Sequence, residues 1–309
     1  MANSGVAWIW LDRVGMRPLA LGTILVATDL DPADEALRTG RRLAQGSGAT
    51  LHVVHVDEPP SSSGTRARLA AAPADALDRA IEHAGIPRGE VRLHHVPGHP
   101  AEGICAIAEL VAADVIILGP PRPQAAGTNA PPLGGTAMAV VLGTDAPCLV
   151  AARPLPVPLE RVIVPVDLSD TSRGALLVGL SWASALRAGS FDAPGTALTV
   201  LHVRHEDQAL AADAEAALAR EVDRLRRDAG SWAGVRIEAT TRPARDGAAR
   251  SIDAVARELR ADLVVLGTRG LGADEERRLG SVAAAVIELT PAPMLLVPPA
   301  VWRAHAADL

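Results

Sequence analysis

The chain has 309 residues, which is long enough for two domains of ordinary size, and nearly half of them are hydrophobic. Its net charge of −6 comes from interspersed charges without a basic stripe, which argues against sequence-independent nucleic-acid binding. The two cysteines, Cys105 and Cys148, are too few for a disulfide framework and are expected to be buried, reduced thiols. No apolar run reaches the roughly 18 to 20 residues of a transmembrane helix. We therefore expect a soluble, cytoplasmic protein with no membrane partner.

The first 20 residues are interpreted as an N-terminal extension, and the strand and helix patterns begin at Thr23. Trp8 and Trp10 lie in a short apolar stretch that Asp12 and Arg13 interrupt, which makes a poor signal peptide. A first unit of alternating strands and helices follows. Strands are predicted at 23–29, 50–56, 91–96, 114–119 and 147–151. Helices are predicted at 32–45, 100–112 and 135–142, and another helix, rich in alanine, is predicted to end at about residue 84.

Proline at every second position from Pro154 to Pro158 indicates a semi-rigid linker, after which the same order of elements begins again. Strands are predicted at 161–167, 197–203, 235–240, 263–266 and 293–297, and helices at 208–229, 247–260 and 282–289. Strands that alternate with helices imply parallel sheets, so the chain is an internal duplication of one α/β unit. The predicted fold is two tandem, open, parallel, five-stranded sheets flanked by helices, with Rossmann-like topology. The predicted segments are 1–20 (extension), 21–153 (first domain), 154–159 (linker), 160–299 (second domain) and 300–309 (tail).

The second unit contains a glycine loop between a buried strand and a helix. Leu263 to Leu266 precede Gly267 and Gly270. Nine residues separate Gly270 from Gly280, and Gly280 and Ser281 open an apolar helical run. Such a strand–loop–helix segment directs free backbone N–H groups and a helix N-terminus at one point. Glycines let the backbone approach an anion closely, so the full spacing favours a phosphate site over glycines that only end a strand and a helix.

Asp167 ends the first strand of the second unit and is expected at the same crevice as the Gly267 loop, because ligands of open parallel sheets bind beyond the carboxyl ends of the strands. A carboxylate there can accept hydrogen bonds from both hydroxyls of a ribose. Alternatively, Asp167, or Ser169 and Asp170 just after it, only caps the following helix. The spacing by itself leaves both interpretations open.

The order of Pro165-Val166-Asp167, His202-Val203 and the glycine motif resembles the universal stress protein family, as a tandem member of its ATP-binding branch. The resemblance implies that Asp167 holds the ribose, that Pro165 and Val166 line the nucleoside pocket, and that the backbone of Val203 contacts the adenine edge. It also implies a phosphate site formed by Gly267, Thr268, Arg269, Gly270, Gly280, Ser281 and Val282. The final strands are expected either to pair the two halves of one chain or to pair two chains in a homodimer.

The two units differ in their glycine loops. In the first, Arg122 stands where the second glycine is expected, and five prolines between residues 120 and 132 remove N–H donors. We therefore expect a weak or absent nucleotide site there. In the second, the acidic run at 274–276 lies where phosphates are expected, and Arg277 and Arg278 follow it. Acidic residues there lower the expected affinity for a triphosphate, unless the arginines offset them or the acids point to solvent.

The histidines at 94, 95 and 99 raise the question of a metal site. His94 and His95 are adjacent on a strand and point to opposite faces, as do His52 and His55, and no cysteine or second carboxylate completes a ligand set. No metal site is predicted.

The residues and the resemblance support one principal function. The protein is expected to bind ATP or a related adenine nucleotide such as ADP, AMP or a cyclic nucleotide. A Mg²⁺ ion is compatible with bound ATP. The protein is expected to act as a non-catalytic stress-response sensor. The alternative is a nucleotide-free tandem scaffold for protein partners. A less favoured alternative is a slow ATP hydrolase, because the chain has no lysine and no general base with a clear partner.

Overall fold

The structure is a computed structural model. It describes residues 19–31, 34–58, 73–119, 133–151, 153–187, 195–204, 208–227, 232, 234–244, 246–269 and 278–307. The strands are β1 Thr23–Ala27, β2 Thr50–Asp57, β3 Val91–Pro97, β4 Val115–Leu118, β5 Cys148–Val150, β6 Arg161–Pro165, β7 Thr196–Arg204, β8 Val235–Pro243, β9 Leu263–Gly267 and β10 Met294–Val297. The helices are α1 Glu35–Ser47, α2 Pro73–His83, α3 Pro100–Leu110, α4 Gly135–Gly143, α5 Asp170–Ala185, α6 Gln208–Arg227, α7 Ala248–Glu258, α8 Ser281–Leu289 and α9 Pro299–Ala307.

The strands form one ten-stranded sheet in the order β3-β2-β1-β4-β5-β10-β9-β6-β7-β8. Within each half all neighbouring strands are parallel, and the two halves meet where β5 and β10 pair antiparallel, with Met294 opposite Val150. The predicted fold of two tandem five-stranded units is confirmed. Of the two pairings that the sequence allowed for the final strands, the structure contains the one within a single chain.

The sheet is buried on both faces, which explains why its central strands are apolar throughout. β4 (Val-Ile-Ile-Leu) and β9 (Leu-Val-Val-Leu-Gly) have four consecutive buried residues each. Helices α1, α2, α5 and α6 pack on one face, and helices α3, α4, α7 and α8 pack on the other. Strand order reverses at β1/β4 in the first half and at β6/β9 in the second, and a crevice opens beyond the carboxyl ends of such strands.

Two segments outside the predicted units pack against the body. In the linker, proline prevents regular secondary structure, but the side chains of Leu155 and Leu159 are buried in the core. These two residues anchor the linker to the body of the protein. At the C-terminus, where a tail was expected, α9 packs on α5, and its Trp302 lies against Gly174, where a Cβ would come within 3.3 Å of the Trp302 side chain. A nine-residue helix has too short a pattern to be recognised reliably from sequence.

Among the residues that the structure describes, none of the helices has both the length and the apolar character required to cross a membrane.

Candidate functional site

The crevice at the β6/β9 switch point of the second half contains a cavity of about 370 Å³. This is within the range of roughly 300 to 1,000 Å³ that is typical of small-molecule sites. Strands β6, β7 and β9 contribute their carboxyl ends, and α5, α7 and α8 contribute their N-terminal turns. The lining residues are Pro165, Val166, Asp167, Ser172, Leu201, Val203, Ala248, Ile252, Leu266, Gly267, Arg269, Gly280, Ser281, Val282 and Ala283.

Gly267 ends β9 at a point where no side chain fits. A Cβ built on it would lie 2.8 Å from the Thr171 Cγ2 atom and 3.2 Å from the Thr171 backbone carbonyl. The α5 backbone therefore approaches β9 closely because residue 267 lacks a side chain. This contact explains the glycine through packing, independently of any ligand.

Helix α8 begins at the cavity, and its N-cap residue has no side chain with which to cap the helix. Its N-cap is Gly280, whose N–H donates to the Thr268 carbonyl at 2.8 Å. The first-turn amides of a helix have no partner within the helix, and here they belong to the lining residues Ser281, Val282 and Ala283. Val282 has a side chain that is 40 % exposed. This arrangement leaves a positive helix end open to the cavity.

Asp167 also lines the cavity and lies just after the last residues of β6. Its Oδ1 atom accepts the Ser169 N–H at 3.0 Å, and Ser169 in turn caps α5 by accepting the Ser172 N–H at 3.2 Å. Ser169 is therefore the capping residue of α5. The side chain of Asp167 is held at the cavity by its hydrogen bond to the Ser169 N–H, in the turn that precedes the helix. Of the two roles that the sequence left open for Asp167, capping of the helix belongs to Ser169 instead.

Nine of the eleven residues predicted for the site line the cavity. Thr268 does not, because it is buried beneath the lining and its N–H donates to the Val297 carbonyl at 2.9 Å. That amide is thus unavailable to a phosphate. Gly270 lies outside the described residues, as do the acidic residues 274–276 and Arg277. Arg278 is described and exposed.

Six lining residues were not predicted: Ser172, Leu201, Ala248, Ile252, Leu266 and Ala283. Period-2 alternation could have identified Leu201, because it precedes Val203 by two positions on β7 and shares its face. No local signal could have identified Ala248 and Ile252, because α7 reaches the cavity only through tertiary packing. Five of these residues are apolar and give the cavity an apolar surface, and the sixth, Ser172, adds a hydroxyl.

Among the arginines of the second half, Arg269 lines the cavity. Arg242 instead donates to Thr240 Oγ1 at 2.8 Å and lies 3.4 Å from the Glu258 carboxylate. Arg250 is exposed on α7, and Arg245 lies outside the described residues. Arg242 therefore stabilises the β8–α7 region through local contacts.

The corresponding edge of the first half has the same backbone frame. Asp29 accepts the Asp31 N–H at 3.2 Å, as Asp167 accepts that of Ser169. His55 Nδ1 lies 2.9 Å from the Thr28 carbonyl oxygen, and His202 Nδ1 lies 2.9 Å from that of Val166. The loop of this half in which Arg122 replaces the second glycine, residues 120–132, lies outside the described residues.

The side chain of Asp34 distinguishes the first half. It caps α1 by accepting the N–H groups of Ala36 and Leu37 at 2.8 and 3.3 Å, and it accepts the Thr28 hydroxyl at 2.5 Å. Burial raises the pKa of the Asp34 carboxyl above its ordinary value, hydrogen bonds from Thr28 and the two amides oppose that rise, and the nearby Asp29 adds to it.

The histidines lie on opposite faces of the β2–β3 pair, as predicted. His52 stacks on His94 with 2.8 Å between Nδ1 and Nε2, whereas His95 Nε2 lies 2.5 Å from Asp57 Oδ2 on the other face. Burial lowers the pKa values of His52 and His94, with Arg92 contributing in the same direction. Within the described ranges, no three His, Cys, Asp or Glu side chains are arranged to hold a metal ion.

The cysteines are free thiols. Cys148 is fully buried in β5 and Cys105 is half-buried in α3. Burial raises the pKa of both thiols, so neither is an activated nucleophile.

The fold and the site define a tandem α/β protein with a ligand-sized crevice at one of its two switch points. The model of the universal stress protein family matches residues 21–152 and 158–298, and the chain belongs to this family. The two matches coincide with the two halves of the sheet.

Similar proteins agree with this assignment. The structure of a universal stress protein from Archaeoglobus fulgidus superposes with a TM-score of 0.66 at 19% identity, over 91% of this chain and 100% of that one. A protein of unknown function from Pseudomonas aeruginosa PAO1 superposes with a TM-score of 0.61 at 18% identity, over 94% of this chain and 96% of that one. A universal stress protein of Synechocystis sp. is 54% identical over 44 residues, which span 14% of this chain and 28% of that relative.

Proposed function

We propose that the second half binds ATP or a related adenine nucleotide (ADP, AMP or a cyclic nucleotide) and that the protein is a non-catalytic stress-response sensor. The observation that carries this proposal is the lining of the cavity, which combines a carboxylate, the first-turn amides of α8 and apolar side chains. A nucleotide has a part that suits each of these features: a ribose with hydroxyls, a chain of anionic phosphates and a flat base, with the ribose joining the base to the phosphates.

Each group of lining residues suits one part of the ligand. The Asp167 carboxylate can accept ribose hydroxyls in charge-assisted hydrogen bonds. The N-terminus of α8 can bind phosphate oxygens through its amides, with the guanidinium of Arg269 on the same wall. The base would lie on Leu201, Val203 and Ile252, where the apolar side chains offer a dry surface. A Mg²⁺ ion would arrive with the phosphates, because it is commonly bound through them with few protein ligands.

The lining residues argue for binding without rapid chemistry. Asp167 and Arg269 are the charged side chains among the described lining residues, and the chain contains no lysine. General-base catalysis needs a base with a partner that orients it, and the described lining offers no histidine for this role. We expect any ATP hydrolysis to be far slower than about 10 per second, which is typical of enzymes.

The test begins with the purified full chain, which is heated to release bound nucleotide for identification by chromatography. Calorimetry of the nucleotide-free protein then compares ATP, ADP, AMP and cyclic AMP. We expect one binding event per chain, in the second half. If no nucleotide is released and none of the four binds, the protein would be a nucleotide-free tandem scaffold for protein partners. Rapid turnover of ATP would contradict the non-catalytic assignment.

The sensor role depends on other proteins. We propose that nucleotide occupancy changes the surface around the crevice in the cytoplasm, where a protein partner or a second copy of the chain would bind. The β5–β10 pair already joins the two halves as an intrachain pseudo-dimer, so the central strand edges are occupied. A homodimer would therefore use a different surface.

A further inference from the structure

Two pairs of histidines connect the outer strands β2 and β3 of the first half, one pair on each face of the sheet. On the face that α3 covers, His52 and His94 stack with ring centroids 5.1 Å apart and an interplanar angle of 9°. On the opposite face, His55 and His95 stack with ring centroids 6.0 Å apart. β3 is the first strand in the sheet order and is hydrogen-bonded to β2. The histidine contacts therefore add to the backbone hydrogen bonds that hold this edge strand.

The pair on the opposite face has a carboxylate beside it. His55 Nε2 lies 3.3 Å from Asp57 Oδ1, and His95 Nε2 lies 2.5 Å from Asp57 Oδ2. The negative charge of Asp57 can therefore balance a proton that is taken up on this face.

The His52–His94 contact can hold one positive charge at most. His52 Nδ1 lies 2.8 Å from His94 Nε2. A hydrogen bond between two imidazole nitrogens needs a donor and an acceptor, and an imidazolium offers only donors. At least one of the two rings is therefore neutral as long as the contact exists.

The surroundings of these two rings disfavour a positive charge. His52 is only 5% exposed, and burial lowers the pKa of both histidines. The positive charge of Arg92, two residues before His94 on β3, lowers the pKa of both rings further. A second proton would thus place like charges side by side in a partly desolvated position.

The other elements on this face supply no counter-charge. α3 packs over the two strands and has three titratable side chains, Glu102, Cys105 and Glu109. Both glutamates are exposed, and none of the three forms a hydrogen bond or an ion pair with His52 or its partner. β1 places the apolar Leu25 opposite His52. Among the residues that the structure describes, no carboxylate is paired with either ring.

We propose that the His52–His94 contact makes the attachment of β3 sensitive to acid: it holds β3 on β2 while one ring is neutral, and it breaks when both rings are protonated. Its stabilising contribution is complete above the ordinary pKa of histidine, about 6.5. Because the pKa values in the folded chain are lowered, this contribution is lost as the pH falls from that value towards them. Release of β3 would leave the edge of β2 open to pairing with another strand. The inference is independent of nucleotide binding.

Hydrogen exchange of the full chain at pH 7.5 and pH 5 tests this inference. The exchange of each peptide is measured by mass spectrometry and expressed as a protection factor, which removes the intrinsic effect of pH on amide exchange. We expect the protection of β3 to be at least about fivefold lower at pH 5, a factor that corresponds to about 1 kcal/mol. Two unit charges about 4 Å apart repel each other by this amount even in bulk water. β8 is the outer strand of the second half and contains no histidine, so its protection should change much less.

Two neighbouring substitutions on β3 provide a matched comparison. In His94→Gln, the new side chain can still hydrogen-bond to His52 but cannot take up a proton, so β3 should keep its protection at pH 5. His95→Gln leaves the His52–His94 contact intact, so β3 should lose protection as it does in the wild type. The inference is overturned if the wild type loses no protection in β3, or if His94→Gln loses as much as His95→Gln.

A third variant keeps the inference testable if His94→Gln does not fold. Arg92 is exposed, and Arg92→Gln removes one positive charge from beside the two rings without changing their contact. The loss of β3 protection between pH 7.5 and pH 5 should then be smaller than in the wild type. An equal or larger loss would contradict charge repulsion as its cause.

Discussion

The two halves of the molecule share a backbone frame and differ at the edge where ligands would bind. In the first half, Asp114 accepts the N–H groups of Gly22 and Thr23 at the start of β1, both at 2.8 Å. In the second half, Asp262 accepts two N–H groups at the start of β6, at 2.9 and 2.8 Å. Each carboxylate therefore binds backbone N–H groups at the amino end of a strand, whereas the crevice lies beyond the carboxyl ends.

The frame is repeated even at backbone conformations that are unusual for residues with side chains. Leu30 and Leu168, each just after the strand-end aspartate, have φ values of 66° and 67°. Ala112 and Arg260, each just before β4 or β9, have φ values of 49° and 51°. Such angles are uncommon outside glycine, so their recurrence reflects the turn geometry that the sheet imposes rather than the residue types.

The carboxyl edge, in contrast, has diverged in charge. Asp57 at the end of β2 is matched by Arg204 at the end of β7, where Arg204 lies 3.3 Å from Glu215. The carboxylate of Asp34 caps α1, whereas the neutral Ser169 caps α5. The comparison indicates that the core and the strand starts preserve the fold, whereas the crevice is free to change its chemistry. The first two predictions below use one half as the control for the other.

The largest expected effect concerns the glycine that ends the fourth strand of each half. Gly267→Ala should destabilise the protein by about 1–3 kcal/mol, because the new Cβ would meet Thr171 at 2.8 Å and part of the contact is backbone. Gly119→Ala should change stability by no more than about 0.5 kcal/mol, because none of the residues that the structure describes has an atom within 4 Å of a Cβ there. Urea denaturation of both variants measures the difference. Equal losses would mean that the close α5–β9 contact is not a property of the second half.

The next effect concerns the strand-end aspartates and nucleotide affinity. Asp167→Asn keeps an oxygen that can accept the Ser169 N–H but removes the charge that would bind ribose hydroxyls. We expect ATP affinity to fall about tenfold or more, since hydrogen bonds to charged groups contribute roughly 1.5–3 kcal/mol. Asp29→Asn should leave ATP affinity unchanged. Calorimetry on both variants decides, and a loss of affinity in Asp29→Asn would place a nucleotide in the first half.

The smallest expected effect is a pH dependence that arises from Asp34. Burial raises its folded pKa above the ordinary value of an aspartate, so its stabilising contribution is complete below that ordinary value and is lost as the pH rises through the folded pKa. Asp34→Asn cannot ionise, and its stability relative to the wild type should therefore improve between pH 4 and pH 7. Denaturation of both proteins at the two pH values isolates this group, because all other titrations cancel. A relative stability that does not change with pH, or that falls, would contradict the buried, repelled state of this carboxyl.

Much of the architecture could be predicted because it depends on local patterns. Four consecutive apolar residues at Leu263 to Leu266 identified β9, and the recurrence of an aspartate at the end of the first strand and of a His-Val pair identified the duplication. Most of the candidate site followed from the same signals, since the aspartate and the glycines stand directly after strands. The capping role of Ser169 was harder to assign, because Asp167, Ser169 and Asp170 are all good caps and only the backbone geometry selects among them.

The sequence by itself therefore determined the repeated α/β unit, the strands that carry the crevice and most of the residues that line it. Only the tertiary structure decided that β5 and β10 pair within one chain, that the Thr268 amide is used by Val297, and that α7 supplies Ala248 and Ile252 to the cavity. The physical reason is the range of the contacts. A period of apolar residues or a glycine after a strand acts between neighbours in the chain. Strand edges and helix ends find partners that are distant in the chain, as β5 does with β10, and no local pattern specifies that choice.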